Sequence, residues 1–311
     1  MKSENFVVYP QLLLLGNGIN RAYNGGSWND MLRAITRRED LPDNLNSPMP
    51  LQAILASNDH LTTALHTQKF VQTWYGKLDD AEQRAMYNKL LDLPVTDILT
   101  TNYSYELETA ALDCNTVTEK QIKKLAHHTA QVSRCEIRGR FFTYNQLPND
   151  NRVWHIHGEA RTPDSMVLGH YFYGNTVARM KAYLEQYGGL YSHYQKQGQD
   201  KPLCSWLDAF IMGDVYVLGF GFDLSEFDLW WLLNRKKLEK ADHGKVYFYQ
   251  PHTAAFDEKL ELLKLMEVEI LDCGFAESGD CPCDYKAFYN EAIQDIQERI
   301  AKDLYHVKIC N

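Results

Sequence analysis

Short apolar runs that end at glycine or polar residues alternate with stretches of helical period along most of this chain. The runs that read as buried strands are Gln11–Leu15, 96–99, 152–156, 215–218, 246–249 and 268–271. Apolar runs of this length between turn residues are typical of strands buried on both faces. Because strands and helices alternate, we expect an α/β fold with a mostly parallel sheet and helices on both faces.

The composition narrows the classes of function. The 311 residues are 45% hydrophobic and 23% charged, which is typical of a soluble globular protein with a sizeable core. A net charge of −9 opposes binding to phosphate backbones, so we expect no direct nucleic-acid binding by this chain alone. The sequence lacks an apolar run long enough for a bilayer, and its seven cysteines form no disulfide framework. A cytoplasmic protein without membrane contact is therefore expected.

The chain is expected to form one elaborated domain over residues 1–275, with helical insertions at about 40–95, 104–150 and 159–206. Asp79 and Asp80 predict a helix start within the first insertion. Residues 276–311 predict an amphipathic helix that packs on the domain, because one row of it is apolar: Phe288, Ala292, Ile296, Ile300 and Leu304. A helix that faces a partner protein is the alternative. Tyrosines at 171, 173, 183, 187, 191 and 194 favour amphipathic packing, with a stacking platform for a base or sugar as the alternative.

The first strand leads directly into a glycine-rich junction, Gly16-Asn17-Gly18-Ile19-Asn20. Two glycines allow close approach of the backbone to a ligand, and the following helix N-terminus offers amides to a phosphate. The junction therefore has the outline of a nucleotide-binding turn, although it lacks the third glycine of the dinucleotide fingerprint. A tight turn without a ligand is the alternative.

Two further strands also end at residues that can bind a ligand or act in catalysis. One leads into Thr100-Thr101-Asn102-Tyr103, and the other is Val153-Trp154-His155-Ile156-His157-Gly158, whose alternation predicts both histidines on the same face. Ligands bind at the carboxyl ends of strands in open α/β sheets. A lone histidine usually has a structural role, with its hydrogen bonds made inside the protein. Here, however, the sequence places both Asn102 and His157 at the carboxyl ends of strands. We therefore expect both side chains in one solvated crevice, where alanine substitutions would leave folding nearly intact.

A second glycine pair follows the strand 215–218, in the segment Gly219-Phe220-Gly221-Phe222-Asp223. It would receive the other half of a dinucleotide. Ser225 is predicted as the N-cap of the next helix, with Asp228 three residues later. Core packing is predicted for the apolar side chains of that helix, Phe227, Trp230, Trp231 and Leu233. Stacking of the two tryptophans on a cofactor is the alternative.

Taken in order, these motifs resemble the sirtuin pattern, and more closely the divergent sirtuin-like domains of bacterial antiphage defence. The resembling residues are Gly16 to Asn20 with Trp28, Thr100 to Tyr103, His155 to Gly158, Gly219 to Gly221, and Gln250. Ser104 stands where that branch usually has aspartate, and Asn17 and Asn20 also depart from the sirtuin pattern. The resemblance spans roughly residues 12–271 and implies a Rossmann-like fold.

The resemblance also implies what is missing. Deacylase sirtuins usually carry two Cys-x-x-Cys pairs that bind a structural zinc ion. Between Gly158 and Gly219 this chain has one cysteine, Cys204, so a helical insertion is expected in place of the zinc module and no metal is expected.

The implied substrate is NAD. The resemblance assigns Asn102 to orienting the nicotinamide ribose and a water, and His157 to general-base catalysis. The first glycine turn and its helix N-terminus would neutralise the pyrophosphate, Asp223 would bind a ribose hydroxyl, and Gln250 would lie near the adenosine end. The full set of residues expected to bind NAD is Gly16, Asn17, Gly18, Ile19, Asn20, Trp28, Asp30, Thr101, Gly219, Phe220, Gly221, Asp223 and Gln250.

The expected activity is that of an NAD glycohydrolase, an abortive-infection effector that releases nicotinamide and ADP-ribose. The alternatives are an NAD-dependent protein deacylase and a non-catalytic sensor subunit that binds NAD or ADP-ribose. Since constant NAD depletion would harm the host cell, control by homo-oligomer assembly or by a sensor or activator protein is expected.

Overall fold

The computed structural model describes residues 10–23, 25–36, 39–40, 42, 65–71, 77–128, 141–186, 205–239, 244–251, 257–273 and 284–309. The strands are β1 (Gln11–Leu15), β2 (Asp97–Thr100), β3 (Ala126–His128), β4 (Thr143–Gln146), β5 (Arg152–His155), β6 (Asp214–Leu218), β7 (Val246–Pro251) and β8 (Val268–Cys273).

Helices separate most of these strands along the chain. They are α1 (Gly18–Ala22), α2 (Trp28–Thr36), α3 (65–71), α4 (Ala81–Leu91), α5 (Glu106–Ala111), α6 (Glu119–Leu125), α7 (His170–Gln186), α8 (Trp206–Met212), α9 (Phe227–Leu238), α10 (Glu258–Leu265) and α11 (Tyr285–Ile309). Within the described ranges, no helix is both long and apolar enough to cross a membrane.

The described strands form one eight-stranded sheet in the order β3-β4-β5-β2-β1-β6-β7-β8. The pairs from β5 through β8 are parallel, and β3 and β4 extend the sheet by antiparallel pairing. The prediction of a mostly parallel, Rossmann-like α/β sheet is therefore confirmed. The stretch 104–150, predicted as a helical insertion, contributes two strands of its own as well as α5 and α6.

The central strand β1 shows why the sheet is buried on both faces. Leu12 and Leu14 belong to one apolar cluster, and Leu13 and Leu15 belong to a second cluster on the opposite face. Each successive side chain of a strand points to the other face, so an uninterrupted leucine run fills both cores. Because β1 has β2 on one side and β6 on the other, the chain reverses its direction of winding at β1, where such sheets form a crevice.

The C-terminal helix α11 packs on the second cluster. Phe288, Ala292, Ile296 and Ile300 are buried there, as the four-residue spacing predicts. The side chain of Leu304 lies outside the described part of the chain. The described length of this apolar row therefore packs onto the chain's own core.

Helix starts follow the predictions in one case and differ in another. Asp80 is the N-cap of α4, and its carboxylate accepts hydrogen bonds from the backbone amides of Glu82 and Gln83, as predicted. The prediction of Ser225 as the N-cap of α9 is wrong. A turn closed by the Glu226 amide on the Asp223 carbonyl moves the helix start to Phe227, so Glu226 becomes the N-cap residue without a side-chain capping bond.

The aromatic side chains around α7 and α9 largely follow the predicted packing. Tyr173 and Tyr183 are buried, whereas Tyr171 is 67% exposed. Trp230 and Trp231 pack partly buried against the first cluster, and Phe227 packs against Tyr173. Tyr187, Tyr191 and Tyr194 lie outside the described residues.

Candidate active site

The carboxyl ends of strands β5, β2, β1, β6 and β7 surround a cavity of about 630 Å³. Sites for cofactors and other small molecules usually occupy about 300–1,000 Å³. Adjacent strands lie about 4.8 Å apart, so the sheet edge from β5 to β7 extends about 19 Å. The cavity is therefore elongated along an edge where open α/β sheets bind nucleotides.

Most of the residues predicted to bind NAD or to act in catalysis line this cavity. They are Asn17, Gly18, Thr101, Asn102, His157, Gly219, Phe220, Gly221, Asp223 and Gln250. These residues come from separate junctions along the sequence, and the parallel sheet brings them to one edge.

Asn20, predicted to bind the ligand, has a structural role in this fold and is 1% exposed. Its Nδ2 donates to Asn17 Oδ1 (3.1 Å) and to Glu106 Oε1 (3.2 Å). Its Oδ1 accepts from Gln83 Nε2 (3.1 Å) and from the Tyr87 hydroxyl (2.6 Å). Because these neighbours use its amide, Asn20 anchors the first junction and does not line the cavity.

Three other predicted residues also lie outside the cavity lining. Ile19 is buried in the second apolar cluster. Asp30 Oδ2 accepts from the backbone amide of Ser27 (2.6 Å) and from its hydroxyl (2.8 Å), and these bonds lower the pKa of Asp30. Asp30 therefore stabilises the start of α2. A Cβ atom at Gly16 would lie 2.5 Å from the Gly219 carbonyl oxygen, so this glycine serves backbone packing. Trp28 begins α2, and its side chain lies outside the described part.

The two glycine junctions contact each other directly. The Gly18 amide donates to the Gly219 carbonyl (2.7 Å), and a Cβ atom at Gly18 would meet that same oxygen. Helix α1 has only five residues, so its dipole is small and its first amide is already bonded. This geometry gives no support to the predicted neutralisation of a pyrophosphate by the helix N-terminus. Among the described lining residues, Arg21 and Lys259 supply basic side chains instead.

The second junction leaves room for a ligand at Gly221. Gly219 has a φ of +67°, a left-handed conformation that favours glycine, and the buried Phe222 has a φ of +45°. A Cβ atom at Gly221, by contrast, would meet no atom within 4 Å. Gly221 lines the cavity, so an added methyl group would enter space that a ligand can occupy.

Gly221→Ala should therefore weaken the binding of a ligand in this cavity without destabilising the fold. An added methyl group in a fitted site costs about 1–3 kcal/mol, which corresponds to a rise in KM of roughly 5-fold to 150-fold. Gly174→Ala is the matched control, because its Cβ atom also meets nothing and it lies on α7 outside the cavity lining. Steady-state kinetics with thermal unfolding would test this, and an unchanged KM in Gly221→Ala would show that the ligand lies elsewhere.

His157 stands just beyond the end of β5 and is 2% exposed. Its Nε2 lies 3.0 Å from Asp228 Oδ2, and its Nδ1 lies 3.7 Å from Glu226 Oε2. The prediction of a solvated position for this histidine is wrong, since α9 covers the ring on one side and the Tyr173 ring packs edge-on at 5.4 Å. His157 borders the cavity from within the protein interior.

The prediction that His155 and His157 share a face is also wrong. Strand β5 ends at His155, and a turn closed by the Gly158 amide on the His155 carbonyl (3.0 Å) interrupts the alternation. His155 consequently contacts Glu108 on α5, whose apolar residues belong to the second cluster. His157 instead contacts Asp228 on α9, whose leucines belong to the first cluster on the opposite face.

Glu226 is a cavity residue that the sequence analysis missed. The Tyr173 hydroxyl donates to its Oε2 (2.6 Å), and burial raises the pKa of Glu226 to about 7. Asp228 was predicted only as a partner in helix capping. The sequence did contain a signal for both residues, because Glu226 and Asp228 stand next to the apolar sequence of α9. A carboxylate buried among leucines requires a polar or charged partner.

His157, Glu226 and Asp228 also form the cluster in the described residues that has suitable spacing for a metal ion. One ligand atom from each lies within 4.8 Å of the others. Histidine and carboxylate ligands suit a divalent ion such as Zn²⁺. The sequence-based expectation that the site uses no metal stays a prediction.

The buried side chain of His155 holds the backbone of Asn102 in place. Its Nδ1 donates to the Asn102 carbonyl oxygen (2.9 Å), and its Nε2 donates to Glu108 Oε1 (3.0 Å). Burial alone would lower the pKa of His155, but the Glu108 and Glu159 carboxylates and the hydrogen bond to the Asn102 carbonyl together outweigh burial and raise it to about 9. A charged His155 therefore holds the backbone of Asn102, whose side-chain Nδ2 lies 3.4 Å from the Gly16 carbonyl oxygen.

The His155 pair should make stability depend on pH. The pKa of this imidazole is about 6.5 unfolded and about 9 folded, so its stabilisation is complete below pH 6.5 and is lost as pH rises through 9. We compare the free energy of unfolding of the wild type with that of His155→Gln. The difference between the two proteins should be about 3 kcal/mol larger at pH 6 than at pH 9.5. Urea unfolding at both pH values measures this difference, and a difference independent of pH would show that His155 is neutral.

Aromatic residues of α11 line the cavity, and the Tyr289 hydroxyl lies at the first glycine junction, 2.5 Å from where a Cβ atom at Gly18 would stand. Tyr285, Phe288 and Tyr289 lie with ring centroids 5.1–6.5 Å apart, and Tyr285 is 45% exposed. The sequence predicted that this helix packs on the domain, with a partner-facing helix as the alternative, and did not predict its part in the cavity. The signal in the sequence was three aromatic residues close together at the start of the helix. They could indicate contact with a ligand in addition to packing.

This fold and site define a Rossmann-like α/β protein with a nucleotide-sized cavity at its switch point. Residues 96–271, more than half of the chain, match the family of SIR2-like domains. The chain therefore belongs to that family, and the resemblance to sirtuins predicted from the motifs is confirmed. A SIR2-like domain indicates an enzyme that uses NAD as a substrate. No curated protein matches the chain.

Proposed function

We propose that this protein is an NAD glycohydrolase, which cleaves NAD with water to nicotinamide and ADP-ribose. One observation carries the proposal: Asn102 and His157 line the same cavity as the glycine junctions and Gln250. The reactive groups and the nucleotide-binding groups are thus at one sheet edge in a SIR2-like domain.

The positions of the lining residues support one orientation for an extended dinucleotide. The nicotinamide ribose would lie at the β5 end beside His157 and Asn102, and the pyrophosphate would cross the open space at Gly221. The adenosine would lie at the β7 end, near Gln250. Arg21 and Lys259 would provide positive charge to the phosphates.

The chemistry requires a base but no acid. As the bond between the ribose anomeric carbon and the nicotinamide nitrogen breaks, its electron pair neutralises the positively charged ring, so the leaving group needs no proton. Positive charge develops on the ribose, as in other glycosyl transfers. A water oxygen then bonds to the anomeric carbon and gives its proton to His157, while the carboxamide of Asn102 orients the water and ribose.

The main alternative is an NAD-dependent protein deacylase. That reaction needs an acyl-lysine side chain to reach the anomeric carbon beside His157. The ring of His157 is enclosed by α9 and Tyr173, and the sequence has one cysteine where deacylase sirtuins usually carry a zinc module. Both observations favour a small nucleophile such as water.

Product analysis separates the two reactions. We would incubate the protein with NAD, with and without an acetylated lysine peptide, and identify the products by mass spectrometry. The glycohydrolase predicts nicotinamide and plain ADP-ribose in both samples. Acyl-ADP-ribose formed only with the peptide would establish the deacylase and overturn the proposal.

The biological setting and the control of this activity belong to the same proposal. The motif resemblance supports an abortive-infection effector of bacterial antiphage defence, held inactive until assembly or an activator protein releases it. A non-catalytic sensor that binds NAD or ADP-ribose is the alternative, and intact Asn102 and His157 argue against it. Full activity of the isolated monomer, measured alongside its mass in solution, would contradict control by assembly or by a partner.

A further inference from the structure

We infer that the C-terminal helix α11 supplies a ligand-binding side chain, Tyr289, whose hydroxyl binds a phosphate of the dinucleotide at the first glycine junction. The family match ends at residue 271, so α11 lies outside it. The identity of the ligand rests on the function proposed above. The binding itself can be measured whether or not the protein hydrolyses NAD.

The Tyr289 hydroxyl lies directly against the turn between β1 and α1. A Cβ atom at Gly18 would stand 2.5 Å from the Tyr289 hydroxyl oxygen and 2.7 Å from the Gly219 carbonyl oxygen. Tyr289 and both glycines line the cavity. The hydroxyl is therefore placed where the two glycine junctions meet, and the glycine at position 18 leaves room for it.

The backbone of this turn offers little to a phosphate. The Gly18 amide donates to the Gly219 carbonyl (2.7 Å), and the Gly16 amide donates to the Leu218 carbonyl (3.1 Å). Two amides that could bind a phosphate are thus already bonded within the protein, and the five-residue helix α1 has a small dipole. A phosphate at this junction therefore needs side-chain donors, and Tyr289 presents one next to Gly18.

A tyrosine hydroxyl suits a phosphate at this position. Its hydrogen rotates about the C–O bond and can turn toward the acceptor that binds it most strongly. Hydrogen bonds to a charged phosphate oxygen are roughly twice as strong as those to a neutral acceptor. Tyr289 is 3% exposed, so water has little access to compete for the bond. A phosphate at Gly18 would take the hydrogen of this hydroxyl, while Arg21 in the cavity lining supplies positive charge.

Polar contacts fix α11 against the sheet and against α4. The Tyr249 hydroxyl on β7 donates to Asp295 Oδ2 (2.7 Å), and Arg299 Nε donates to the same oxygen (2.6 Å). At the start of the helix, Lys286 forms an ion pair with Glu82 on α4 (2.7 Å). These contacts hold α11 near both ends of its described apolar row, so the position of the Tyr289 hydroxyl at the cavity is set by the fold.

Tyr289→Phe tests the assignment, because it removes the hydroxyl and keeps the ring that packs against Phe288 (ring centroids 5.1 Å apart). We would measure the Kd of ADP-ribose by titration calorimetry and the KM for NAD by steady-state kinetics. ADP-ribose carries both phosphates and lacks the nicotinamide, so no reaction disturbs the measurement. We expect the Kd and the KM to rise about 10–150-fold, with the melting temperature nearly unchanged.

The matched control is Tyr216→Phe, which removes the hydroxyl of a second buried tyrosine. That hydroxyl donates to Gln11 Oε1 (3.0 Å) and lies outside the cavity lining. Tyr216→Phe should bind ADP-ribose with the wild-type Kd. A Tyr289 hydroxyl that only packs the turn would lower the melting temperature in Tyr289→Phe and leave the Kd unchanged, and that result would overturn the inference.

A crystal structure of the wild type with ADP-ribose gives a direct readout. We expect a phosphate oxygen within about 3 Å of the Tyr289 hydroxyl oxygen. Phosphates bound elsewhere, or a wild type that does not bind ADP-ribose, would overturn the inference. If the phosphate binds as expected but the wild type releases no nicotinamide from NAD, the role of Tyr289 stands and the proposed function fails. If the wild type releases nicotinamide and Tyr289→Phe keeps the wild-type Kd, the proposed function stands and the role of Tyr289 fails.

Discussion

His157→Ala is expected to lower nicotinamide release from NAD by about 10²–10⁴-fold, the usual contribution of a positioned general base. In the proposed reaction the imidazole accepts the proton of the attacking water, and alanine cannot replace it. NAD binding should persist, because the glycine junctions and the β7 end of the cavity are unchanged. Chromatographic measurement of nicotinamide, together with titration calorimetry for NAD, tests both parts.

The same substitution should also lower stability, unlike the sequence-based expectation for a solvated residue. Removing His157 leaves the buried carboxylate of Asp228 without its imidazole donor, and an unpaired buried charge costs about 3–5 kcal/mol. His157→Gln keeps an N–H group for Asp228 and so separates the two effects.

The matched control for His157 is His170→Ala, since His170 is exposed at the start of α7. It should keep the wild-type rate and stability. A folded His157→Gln protein that binds NAD and releases nicotinamide at the wild-type rate would contradict the assignment of His157 as the base.

Asn102→Ala is expected to reduce kcat by about 10²-fold, because loss of a positioning group misaligns the water and ribose. Its effect on folding should be small. The side chain makes one long contact, 3.4 Å to the Gly16 carbonyl oxygen, and the bond from His155 uses the Asn102 backbone.

The matched control for Asn102 is Asn88→Ala, an exposed amide on α4 outside the cavity lining. Thermal unfolding should give similar melting temperatures for both variants, while nicotinamide release should fall only in Asn102→Ala. Equal rates in the two variants would show that Asn102 has no part in the reaction.

The sheet could be predicted because its signal is local. A short apolar run such as Leu12 to Leu15 between polar residues predicts a buried strand. The glycine that follows marks the carboxyl end of that strand. Parallel pairing then brings these ends together, which is why Asn102, His157, Gly219 and Gln250 share one cavity as expected.

The charged surroundings of His157 could not be predicted from local pattern. Asp228 lies 71 residues after His157, and their contact depends on how α9 crosses the sheet edge. A turn at Ile156 and His157 also reversed the expected facing of the second histidine. Both features arise from tertiary structure, which period and propensity do not encode.

Asn20 shows the opposite error, because it was predicted to bind the ligand and instead has a structural role. Its position in the glycine junction suggested binding, but Gln83, Tyr87 and Glu106 use its amide. None of these partners is near it in the sequence. The motif therefore identified the correct junction without distinguishing the residues that face the cavity from those that support it.

The central claim is that the cavity at the sheet edge binds NAD with its nicotinamide end at His157. A crystal structure of the His157→Gln variant with NAD tests it most directly. We predict the nicotinamide ribose beside Asn102 and residue 157, the pyrophosphate at Gly221, and the adenine near Gln250. NAD bound in the reverse orientation, or outside this cavity, would contradict it.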